Sequence, residues 1–156
     1  MTPALAVAGR SIKSVMEDKR QFVVVIALIQ NVEGKILLQK RLDPLVLDAH
    51  EKWEFPGGRV DYGENPEDAI RRECREEIGC EIKIKRLMPS IQSAVWTRTD
   101  DKEQHAIIVC YEAELIGGDP RPLDKKVAEV KWFTRAEISR IDTLKGIKEY
   151  VELSGE

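Results

Sequence analysis

Residues Gly58 to Cys80 read GRVDYGENPEDAIRRECREEIGC, a run that can fold in few ways. Asn65-Pro66 is a strong helix start, an N-cap followed by a residue whose φ is already helical, and Gly79 is a strong stop. At about 100° per residue, Glu73, Glu76 and Glu77 share an arc of roughly 100°. Ile70, Cys74 and Ile78 form an apolar strip beside that arc, so one face should meet a core and another should carry a row of carboxylates. Glu73 and Glu77 are like charges at i,i+4, which is unfavourable on a bare helix. A bound cation would relieve them, and hard oxygen donors suit Mg²⁺ or Mn²⁺ better than zinc. A solvated charged helix, laced by Glu67–Arg71 and Arg72–Glu76 pairs, is the competing reading of the same pattern.

The preceding residues, Trp53-Glu54-Phe55-Pro56-Gly57-Gly58, narrow the choice. Alternation puts Trp53 and Phe55 on one strand face. Pro56 restricts the backbone, and two glycines allow a tight turn with a bare carbonyl beside the acids. Phe22–Gln30 reads as a central strand, and Asn31-Val32-Glu33-Gly34 turns the chain into a hairpin partner over residues 35–40. Further strands are expected over 53–55, 81–87, 92–97, 106–114 and 130–133. Thr134 and Glu137 form a capping box for a helix from Arg135, and a second C-terminal helix is expected over 144–153. Strands with one early and one late helical region leave α+β and α/β both open.

Composition sets outer bounds. With 156 residues the chain suits one domain, with residues 21–156 as its body and 1–20 as an N-terminal segment of no clean period, expected to be flexible. A net charge of −3 and a pI near 5.6 argue against a polynucleotide partner. Cys74, Cys80 and Cys110 lie in apolar patterns and read as reduced core residues, which points to the cytoplasm. No apolar run approaches the roughly 18 to 20 residues of a membrane span, and the first nine residues lack a basic region before them, so neither a membrane anchor nor a signal peptide is expected.

The 58–80 run resembles the Nudix box, G-x5-E-x7-R-E-U-x-E-E-x-G-U, at Gly58, Glu64, Arg72, Glu73, Glu76, Glu77 and Gly79. Cys74 and Cys80 stand at the two U positions in place of bulky aliphatics, a departure that touches packing rather than chemistry. The resemblance implies an α/β/α sandwich, a mixed sheet between helices, and a hydrolase that cleaves pyrophosphate linkages of nucleotides with divalent cations. It implies Glu73, Glu76 and Glu77 as metal ligands with the Gly57 carbonyl beside them, and Arg72 as the group that orients a carboxylate. Two roles are open to Glu64, an outer metal ligand or a residue of the helix start favoured by the helix dipole.

The general base is open between the helix and an outside loop, where Glu129 is the foremost candidate ahead of Glu103 and His105. Trp96 reads as core or as a base-stacking platform, and Lys40 and Arg41 as phosphate contacts or solvated surface. The WEFPGG lead-in resembles the MutT-like branch. A CoA-type motif is absent, and neither Pro nor Tyr stands at the marker offset after the box. Triphosphates are therefore favoured over ADP-ribose, nucleotide sugars or other NDP-X substrates. A non-catalytic nucleotide-binding domain is a third reading, disfavoured by the complete set of box acids. A monomer or homodimer is expected.

Overall fold

A computed structural model describes residues 6–7, 10–11 and 19–155. Two short strands, β1 (Ala6–Val7) and β2 (Arg10–Ser11), pair antiparallel. The rest of the expected flexible segment up to residue 18 lies outside the described residues. From Lys19 the chain is already in β3 (Lys19–Ile29), three residues earlier than Phe22.

Val25, Ala27, Leu28 and Ile29 of β3 are fully buried, because this strand lies inside a four-stranded sheet of order β6–β3–β8–β7. Its neighbours are β6 (Gly57–Arg59), antiparallel, and β8 (Glu103–Gly117), parallel along the whole strand. The edge is β7 (Glu81–Thr97), a single strand where two were expected. Its ladder to β8 shifts between Leu87 and Ile91. Pro89, which has no N–H to donate, sits in that irregularity.

A second sheet has β4 (Ile36–Arg41) between β5 (Trp53–Glu54) and β9 (Val127–Phe133). The expected turn between β3 and β4 is present. Asn31 N–H donates to the Lys35 carbonyl at 3.0 Å, and the Asn31 side chain accepts from the N–H groups of Glu33 and Lys35. The expected hairpin is not: only a Gln30–Ile36 bridge closes before the strands part. The edge of β3 is occupied by β6, and Ala27 N–H donates to the Pro56 carbonyl, so β4 pairs elsewhere.

Helix α1 (Pro66–Ile78) begins and ends at the expected caps. Asn65 accepts from Glu67 N–H at 3.0 Å, and Gly79 adopts φ +70° with its N–H on the Arg75 carbonyl. Ile70, Cys74 and Ile78 are fully buried and join Val25, Ala27, Ile29 and Leu37 in one core. The opposite core gathers Leu28, Ile36, Leu38, Phe55 and Phe133 under two short helices, α2 (Arg135–Ile138) and α3 (Ile147–Ser154). The capping box of α2 is formed, yet its helix is one turn long. Both sheets contribute to both cores, which makes one mixed β layer between helices, as the resemblance implied. A cleft opens between the two sheets, lined from β3, β4 and β6.

Candidate active site

The floor of the cleft is the glycine pair that opens β6. A Cβ on Gly57 would stand 2.0 Å from the Val25 carbonyl oxygen, and one on Gly58 would stand 2.5 Å from the Glu73 carboxyl carbon. Bare backbone is therefore what lets β6 lie against β3 on one side and Glu73 on the other. Gly57 and Gly58 both line a cleft of about 1100 Å³, together with Glu54, Glu73, Glu76 and Glu77.

Arg72 organises the acids of α1. Its Nε and Nη2 form a fork on Glu64 at 2.8 and 2.9 Å, Nη1 donates to Glu73 at 2.9 Å and Glu76 at 3.2 Å, and Nη2 also reaches the Arg59 carbonyl at 3.0 Å. The Arg72 guanidinium, with help from the Asp61 N–H, holds the Glu64 carboxyl down to about 2. Glu64 is thus occupied with Arg72, and it does not line the cleft. The predicted acidic arc exists, but each carboxylate has turned to a nearby donor. Among the described residues no three His, Cys, Asp or Glu side chains converge closely enough to hold an ion as they stand.

Two residues that drew no attention in the sequence complete the acidic row. Glu54, on the strand face opposite Trp53 and Phe55, is only 16% exposed and contacts Arg41 at 3.4 Å. Gln39, 1% exposed, directs its Nε2 to Glu54 at 3.3 Å and to Glu77 in a short hydrogen bond. Burial, then the Glu54 carboxylate, pushes the Glu77 carboxyl well up, and burial likewise raises Glu54 against the opposing pull of Arg41. The buried Gln39 Oε1 has no hydrogen-bond partner among the described residues. Glu54, Glu73 and Glu77 are therefore hard oxygen donors whose negative charge is only partly offset by Arg41, Arg72 and one amide. That donor set fits Mg²⁺ or Mn²⁺. The signal for Glu54 was its alternation out of the apolar face, but alternation does not say whether that face is wet.

The other candidates divide. Trp96 lines the cleft while packing on the core, so its two readings meet in one position. Arg41 also lines the cleft, 5.9 Å from the Trp96 ring centroid, but its guanidinium is held by Asp43 at 2.7 and 3.2 Å and by Glu54. Lys40 and Glu129 face each other across the β4–β9 ladder, and neither lines the cleft. Alternation along β4 puts Gln39 and Arg41 on the cleft face and Lys40 on the other, where it pairs with the exposed Glu129. His105 is hydrogen-bonded to Gln21 at the surface.

Comparison with known proteins agrees with this geometry. The profile of the NUDIX domain matches residues 19–153. An 8-oxo-dGTP diphosphatase of Haemophilus influenzae is 47% identical over 62 residues, a stretch that is 40% of this chain and 44% of that protein. The CTP pyrophosphohydrolase of Escherichia coli is 39% identical over 131 residues, covering 74% of this chain and 96% of that one. Among solved structures, a MutT NUDIX hydrolase from Burkholderia pseudomallei superposes with a TM-score of 0.67 at 26% identity, over 86% of this chain and 98% of that one.

Proposed function

This chain belongs to the NUDIX family and is a hydrolase of phosphoric anhydride bonds, and from that premise we propose that it is a Mg²⁺-dependent pyrophosphohydrolase that converts a nucleoside or deoxynucleoside triphosphate, including an oxidised one, to monophosphate and pyrophosphate. The observation that carries the reading is the buried row of Glu54, Glu73 and Glu77 beside the glycine floor. A polyanionic substrate cannot approach such a row unless cations overcompensate it. Relatives that cover most of this chain, such as the CTP enzyme, support the triphosphate class.

In this reading Glu73 and Glu77 would hold Mg²⁺, with Glu76, Glu54 and the Gly57 carbonyl as the further oxygen donors at hand. When bound, the ion neutralises phosphoryl oxygens and acidifies a water. Arg72 keeps Glu73 and Glu76 aimed from one side, and Gln39 keeps Glu54 and Glu77 aimed from the other. Water adds to one phosphorus as the bridging P–O bond breaks. The displaced proton passes to a carboxylate that lines the cleft, which Glu129 does not. Trp96 offers a face for the base. Catalysis here is positioning plus fixed charge.

The test is product analysis with purified protein and Mg²⁺ against NTPs, dNTPs, oxidised dNTPs, ADP-ribose and nucleotide sugars. Release of monophosphate plus pyrophosphate is expected. If triphosphates are inert while an NDP-X turns over with kcat/KM of about 10⁴ M⁻¹s⁻¹ or more, the substrate assignment is wrong.

A further inference from the structure

We propose that Arg20, Arg59, Arg98 and Lys102 form a binding subsite for the outer phosphates of a polyphosphate chain, next to the acidic row and distinct from it. A pocket of about 170 Å³ is lined by these four cations with Glu103 and Gln104, and it shares Arg59, Arg98 and Gln104 with the main cleft. Glu103 in the lining and Asp100 on Arg98 offset part of this charge, and the positive excess that is left is what an anion relieves. Glu103 also reaches Lys19 at 3.9 Å, and Asp100 accepts from Arg98 at 2.9 and 3.1 Å and from the Lys102 N–H.

Arg59 is the hinge of the argument. Its guanidinium lies 3.7 Å from the Phe22 ring centroid, which fixes the plane in which it presents its donors. Among the described residues no carboxylate pairs with it. Burial lowers its pKa, and the neighbouring charges that act on it further are Arg20, Arg98 and Arg41, all cations. It also follows Gly58 directly in the chain, and its carbonyl accepts from Arg72, the residue that aims Glu73. A phosphate chain lying on the glycine floor thus passes from carboxylates to the unpaired Arg59 guanidinium within one residue of backbone. The pocket has no free aromatic face, since Phe22 is covered by Arg59. Its chemistry therefore selects a compact polyanion rather than a nucleobase or a neutral sugar.

The consequence is a preference for a substrate whose far end is charged. This rests on the triphosphate reading above for its kinetic arm, though not for its binding arm. Calorimetric titration of Mg²⁺-loaded protein with tripolyphosphate, pyrophosphate and orthophosphate, at fixed ionic strength, reads the subsite directly. Tripolyphosphate should bind best of the three. Lys102→Gln and Arg98→Gln, at solvent-accessible positions, should each weaken it about fivefold, as for an exposed ionic contact, and the double variant about 20-fold. Arg59→Gln should weaken it at least as much, with a thermal melt to check that losing the Phe22 stack has not unfolded the protein. KM for the triphosphate should rise in parallel while kcat stays within about twofold, and KM for a nucleotide sugar should not move.

A double variant that keeps tripolyphosphate affinity within about twofold of wild type overturns the subsite, as does wild type that fails to prefer tripolyphosphate. If wild type ignores triphosphates as substrates yet shows the charge-dependent tripolyphosphate affinity, the subsite stands and the substrate assignment falls.

Discussion

Arg72 and Glu77 show how single residues set the properties of this site. Arg72 makes five hydrogen bonds with three nitrogens, four of them to carboxylates. A lysine ammonium cannot supply that planar fork. Arg72→Lys should therefore lower kcat by about 10² and raise the Mg²⁺ concentration needed for half-maximal rate, the scale of losing one preorganised electrostatic contact. Wild-type kinetics at saturating Mg²⁺ would reduce Arg72 to a solvated helix residue. Glu77 carries a cost that a bound cation would offset. Because burial and Glu54 raise its proton affinity in the fold, the folded protein retains a proton that the unfolded chain has already released. Stability in chelator should therefore fall as pH rises from about 4.3, the ordinary glutamate value, through the higher folded value. Glu77→Gln should reduce that slope to the share that the buried Glu54 carries and also cost about 10² in turnover. Denaturant melts in EDTA from pH 4.5 to 8 give the comparison, and parallel wild-type and variant curves would contradict it.

At the scale of elements, β6 is squeezed from both sides, and its two glycines answer to different neighbours. A methyl on Gly57 meets the backbone of β3, which cannot yield without breaking the sheet, whereas a methyl on Gly58 meets the movable Glu73 side chain. Gly57→Ala should destabilise the protein by about 3 kcal/mol or more, an overpacking penalty at the upper end of the usual range. Gly58→Ala should melt within about 1.5 kcal/mol of wild type yet lose most of its activity, because Glu73 is displaced from its place beside Arg72. Thermal melts and initial rates on the two variants separate these effects. Equal stability losses would mean that β6 and α1 adjust together.

For the whole molecule, the divergence of the two sheets opens a cleft and leaves a concentration of negative charge at its floor. Whatever neutralises that charge should stabilise the fold. Mg²⁺ at 100 times its dissociation constant should add about 2.7 kcal/mol by linkage, raising Tm, and should flatten the Glu77-dependent pH slope. Scanning calorimetry with and without Mg²⁺ tests this, and an unchanged Tm would mean that the acids hold no ion in the folded state. Orthogonal to the site, the Tyr150 hydroxyl donates to the Ser90 carbonyl at 2.7 Å and ties α3 to the edge strand. Tyr150→Phe should cost about 1 kcal/mol with turnover unaltered.

Local chemistry was enough to define α1: Asn65, Pro66 and Gly79 act on backbone groups a few residues away, and a 3.6-residue period decides which side chains share a face. The acidic arc, the apolar strip, the β3–β4 turn and the capping box of α2 were all legible for that reason. So was the family, whose box lies within 23 consecutive residues. What only the tertiary structure decided depends on which elements meet. Whether the Glu54 face is dry depends on Gln39, 15 residues away, and Gln39 also reaches Glu77, 38 residues from it. The hairpin expected of β3 and β4 parts because β6, arriving from later in the chain, takes the edge of β3. Alternation separates Arg41 from Lys40, but only the pairing of β4 with β5 and β9 decides that the Arg41 face is the one that lines the cleft. Alternation assigns a side chain to a face, but only the packing of distant strands determines what that face touches.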